Sequence, residues 1–300
     1  MLARVALLKK SVFSNFNSAQ EQLLPYLSVA HRYEQEFSAM LPTPLAILWE
    51  LAESKFNNRE RCEAFIKFFE YLGLYFVSFI FGHRKPSKEC FCKKKKDLPD
   101  ITMAFSYNRI NDYKNIFDLS DGNISLICSD EIANILREAT ELRNDISHRG
   151  LPSATAVNST KEIVQHLVNR MQLECRVFFE ITTLIKPIQA KFDGSGFLNE
   201  VEVLKGLGIN PSKTTQFKTS EPMISGELYL AHGDLSANEN IIVTKIFPLM
   251  VMREILPESD IMGFYFYSDI FDDNIRFVCP YPNVTTYTFL EKNIITNSFG

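Results

Sequence analysis

One segment limits what this chain can become more than any other. From Tyr71 to Gly82 it carries no charge, and Phe65, Phe68, Phe69, Tyr75, Phe76, Phe79 and Phe81 crowd into the same stretch. A helix that is apolar on every side belongs inside other structure. Lys67 and Glu70 interrupt the run and leave about a dozen uncharged residues where a membrane span needs ~20, so a central bundle helix is expected and no membrane is implied. Asn57, with Glu60 three residues on, is a capping-box-like start, and Gly82 is a stop.

Other helix signals surround this one. Thr43-Pro44 reads as an N-cap followed by a first-turn proline, opening a helix through Ala52. A helix is expected around 99–117 and a strongly periodic one over 130–149. Ser159 with Glu162 repeats the capping pattern, and Ile163, Leu167, Met171, Cys175, Phe178, Ile181 and Ile185 follow at spacings of three or four, predicting a helix of about eight turns. The pattern changes after Lys191. Residues 1–193 contain four glycines and 194–300 the other eight. Glu227–Ala231, Ile241–Phe247, Phe264–Tyr267, Arg276–Cys279 and Thr285–Phe289 are short, β-branched and aromatic runs, and Asp272-Asp273-Asn274 reads as a hairpin turn. The expectation is an α+β protein: an N-terminal all-α, up-and-down bundle over 1–193, then a small antiparallel β-rich domain over 194–300.

Six cysteines in 300 residues are too sparse for a disulfide framework. Cys62 and Cys175 lie in amphipathic stretches as small apolar residues. The start, with its short apolar run broken by Lys9 and Lys10, does not read as a signal peptide. The sequons at Asn123, Asn158 and Asn283 therefore carry no weight, and a cytoplasmic protein is expected.

The segment Ser129–Gly150 carries the chemistry. Ser129 can cap it, Asp130 and Glu131 face the positive end of the helix dipole, and Gly150 with Pro152 ends it. Ile132, Ile135, Ala139, Leu142 and Ile146 form the buried stripe. At ~100° per residue, Arg143 lies about 60° from the stripe's centre, while Asn144 and His148, one turn apart, lie nearly opposite it. Such a histidine is not explained as a core residue.

The spacing Arg143-Asn144-x-x-x-His148, on a helix inside an apparent bundle, resembles the signature of the HEPN superfamily, small all-α bundles that include many prokaryotic ribonucleases. The likeness covers roughly residues 20–190 and leaves the C-terminal third aside. It implies a HEPN-like bundle and metal-independent RNA cleavage by 2′-hydroxyl attack, in a toxin or abortive-infection effector of antiviral defence. His148 would be the acid/base, Arg143 would neutralise the phosphate, and Asn144 would orient phosphate or imidazole. Arg143 and His148 project about 140° apart on one helix. The resemblance resolves this with a homodimer whose two motifs share a cleft. A catalytically silent HEPN-like dimerisation or regulatory module, binding a protein partner, is the alternative.

No cofactor and no metal are expected. Cys90-x-Cys92 with His83 lacks the second pair a zinc site needs. The stretch 83–97 holds seven Lys/Arg against Glu89 and Asp97, with Lys93, Lys94, Lys95 and Lys96 in a row. It reads equally as a solvated loop and as an RNA-backbone contact. Gly194-Ser-Gly196, Gly206-Leu-Gly208 and His232-Gly-Asp234 are expected to be turns. The net charge of −4 hides a contrast: 194–300 has seven Lys/Arg and thirteen Asp/Glu, a net −6, which leaves +2 for 1–193. RNA is thus expected on the helical part, and a protein partner or antitoxin on the acidic β-rich part.

Overall fold

The computed structural model describes residues 37–83, 103–114, 125–149, 154–207, 214–235, 241–246, 249–254, 262–271, 274–280 and 287–291. The expectations for Lys93–Lys96, Cys90, Cys92, Asn123, Gly150, Pro152, Gly208, Asp272, Asp273 and Asn283 lie outside them.

Among the described residues the chain runs through five long helices and then nine strands. The helices are α1 (Thr43–Glu53), α2 (Asn58–His83), α3 (Met103–Lys114), α4 (Asp130–Arg149) and α5 (Ala154–Ile181). The strands are β1 (Thr182–Phe192), β2 (Phe197–Val203), β3 (Thr214–Thr219), β4 (Tyr229–His232), β5 (Ile242–Lys245), β6 (Met250–Glu254), β7 (Met262–Phe271), β8 (Asn274–Val278) and β9 (Tyr287–Glu291). They form two antiparallel sheets in the orders β3-β2-β1-β4-β5 and β6-β7-β8-β9. The molecule is α+β, helical first and β afterwards.

The apolar segment is α2, and it touches α1, α3, α4, α5, β5 and β6. Asn57 caps it by accepting from the Arg59 N–H at 2.9 Å. By length and apolarity α2 is long enough to cross a bilayer, more than the interruption at Lys67 and Glu70 suggests, but 78% of its most apolar window is buried inside the protein. Its aromatic rings lock the neighbours. Phe65 and Phe68 each meet Trp49 of α1 at 5.4 Å, Phe76 and Phe79 meet Phe178 of α5 at 5.6 Å, and Tyr71 meets Phe266 of β7 at 4.7 Å. Each such ring, fully buried, contributes about 1.5–3 kcal/mol relative to exposure. Gly73 lets α3 approach: a Cβ there would lie 2.8 Å from the Ser106 Cβ. One apolar core runs from Phe37 through the helices to Phe277 of the second sheet.

The first sheet has two buried faces. Leu184 and Leu230 face the helices, while their neighbours Ile185, Tyr229 and Ala231 join Val201, Phe217 and Met223 in a smaller core on the other side. Asn199 pins the chain over this second core, donating to Phe197 O and Thr219 Oγ1 and accepting from Met223 N.

Local signals and outcome differ in three places. Thr43 is not a cap: Pro42 holds that position without a side-chain bond, the Thr43 hydroxyl is buried without a partner, and its N–H donates to Leu204 O at 3.0 Å. α5 begins at Ala154, ahead of Ser159, and buries the stripe Val164, Leu167, Val168, Met171 and Cys175, while Ile163 is 48% exposed. The helix also ends at Ile181, so the extended pattern starts at Thr182 and Ile185 is a strand residue. The five expected strand segments correspond to β4, β5, β7, β8 and β9, and the β7–β8 hairpin closes with Phe271 opposite Asn274.

α5 passes into β1 without a glycine. Lys205 makes this possible: its ammonium donates to the carbonyls of Phe179 at 2.9 Å, Thr182 at 3.2 Å and Glu180 at 3.5 Å. Burial pulls that ammonium below the usual lysine range. Removing it strands part-buried carbonyls, so Lys205→Met is expected to destabilise the fold by about 1–2 kcal/mol, read as a lowered urea midpoint at unchanged slope.

Candidate functional site

α4 forms where its caps and stripe say it should. Ser129 Oγ accepts from the Ile132 N–H at 3.1 Å, and Ile132, Ile135, Leu136 and Ala139 are buried. Toward the C-terminal half the burial relaxes, and Leu142 and Ile146 only lean on the core. The helix emerges from its neighbours just where the motif begins.

Asn144 is exposed, and Arg143 sits at the edge with 41% of its side chain accessible. The helix continues through His148, one turn beyond Asn144; the His148 side chain lies outside the described residues. Asp145 is exposed as well. Arg143 Nη2 stands 3.7 Å from Oε1 of Glu70, on α2. Glu70 is the residue that sequence reasoning read only as an interruption. Nothing local ties it to Arg143, and its one signal was a carboxylate inside an apolar run.

Tyr71, next to Glu70, packs on Phe266, and burial first, then the charges of Glu70 and Cys279, push its phenol far above the ordinary range. On α5, Arg170 reaches across to α4 and pairs with Glu131 at 2.5 Å and Glu138 at 2.8 Å. This clamp fixes the N-terminal half of α4 against α5.

An exposed guanidinium with one long carboxylate contact can accept a phosphate in a bidentate manner. Among the described residues no three His, Cys, Asp or Glu side chains are grouped as a metal would require. Cys62, Cys128, Cys175 and Cys279 are buried thiols. The turn at His232-Gly-Asp234 is observed as one: Gly233 has φ +114° and its N–H donates to Ile181 O at 3.1 Å. Gly194 (φ +95°) and Gly206 (φ +71°) also sit in turns. No protein-family model, curated protein or solved structure matches the chain.

Two outcomes are expected. The Arg143–Glu70 pair is too exposed to hold the fold, so Glu70→Ala should change stability by no more than about 1 kcal/mol in thermal or urea unfolding. Burial holds His232 below its ordinary 6.5. As pH falls through 6.5 the unfolded chain takes up a proton that the folded chain refuses, so stability drops down to the folded value and levels beneath it. His232→Gln should flatten the melting-temperature profile in that window.

Proposed function

We propose that the protein is a metal-independent endoribonuclease of HEPN type, acting as a homodimer in which two α4 motifs share one cleft. The observation that carries the reading is the state of Arg143 and Asn144: both lie on the part of α4 that leaves the core, and among the described residues the guanidinium has only a distant carboxylate to satisfy it. In the reaction, one His148 accepts the proton of the 2′-hydroxyl, whose oxygen attacks the adjacent phosphorus. The P–O5′ bond breaks, and the leaving 5′-oxygen takes a proton from the second His148. Arg143 offsets the charge gathering on the phosphoryl oxygens, and Asn144 orients phosphate or imidazole. The role fits a toxin or abortive-infection effector in the cytoplasm, with a protein partner or antitoxin on the acidic β-rich part. Lys93–Lys96 would add backbone contacts to the RNA.

A second reading, a silent dimerisation or regulatory module, is favoured by the same ion pair, since Glu70 gives Arg143 a partner without any substrate. Ile163, Leu173 and Val177, each about half-exposed on α5, offer an apolar face for such a role.

Purified protein on total RNA with EDTA separates the two. Cleavage is expected from the native chain, reduced about 10²–10⁴-fold in His148→Ala and at least comparably in Arg143→Ala. Growth arrest on expression should disappear in parallel. Equal cleavage by native and His148→Ala protein would remove the catalytic reading, and an active monomer would remove the shared cleft. RNA left intact by the native dimer would favour the silent module.

A further inference from the structure

We draw no further inference here: the strongest candidate, the half-exposed apolar face that Ile163, Leu173 and Val177 form on α5, carries nothing because nothing in the structure shows what covers it.

Discussion

A helix that runs straight into a strand must dispose of its last carbonyls, and in this protein Lys205 is the main means. α5 ends at Ile181 and β1 begins at the next residue. Helices usually close with a glycine in the left-handed region, which turns the chain and lets backbone N–H groups reach back. None is available here. Instead Thr182 Oγ1 donates to Phe178 O, Lys205 Nζ serves Phe179, Glu180 and Thr182, and Gly233 N serves Ile181. The segment that carries Lys205 also receives α1: Thr43 N donates to Leu204 O, and Gly206 N donates to Leu41 O at 2.8 Å. One short stretch thereby joins the start of α1, the end of α5 and the first sheet. The helices and that sheet meet in a single core as a result.

α2 is the other half of that arrangement. Its middle supplies Glu70 to the motif helix and Tyr71 to the second sheet, while its end supplies Phe79 and His83 to a cavity on the first sheet. Beyond Lys67 α2 is apolar on nearly every side and has few places to display a polar group, and Glu70 stands where it touches the motif helix. This explains why a carboxylate survives inside so apolar a run. Glu70 does not lie in the core; it lies where α4 leaves the core.

Legibility followed the range of the interactions. Ser129 over Ile132 and Asn57 over Arg59 are contacts within three residues, so the sequence alone predicts them. The stripe of α4 has a single phase and is equally plain, which is why Arg143 was expected at its margin and Asn144 nearly opposite it, in agreement with their half-buried and exposed positions. α5 is different. The doublets Ile163-Val164 and Leu167-Val168 allow two stripes about 100° apart. The packing of α2 along α5, which no local pattern can reveal, goes with the one that buries Val164 and leaves Ile163 exposed. Ile185 continued a helical spacing and yet became a strand residue through pairing with Val203 and Tyr229. β1 was hidden too, because its outer half is exposed on both faces and shows no alternation. The Glu70–Arg143 contact and the meeting of His83 with His232 around that cavity are products of the fold.

The two arginines that cross between helices show why the motif's guanidinium is open to a ligand. Arg170 is about one-fifth exposed and holds two carboxylates at 2.5 and 2.8 Å; these bonds lift its guanidinium further above an already high range. A hydrogen-bonded charge pair of this kind is worth about 1.5–3 kcal/mol, and replacing both carboxylates would gain a ligand little. Arg143 has one carboxylate oxygen at 3.7 Å and 41% of its side chain in water. Exposed pairs of that sort are worth about 0–1 kcal/mol. A phosphate offers two oxygens in the plane of the guanidinium at hydrogen-bonding distance, a stronger contact than the one it displaces. Glu70 therefore holds Arg143 in place without saturating it. The same side chain that supplies the silent-module reading with its evidence is, on energetic grounds, too weak a partner to keep a phosphodiester away.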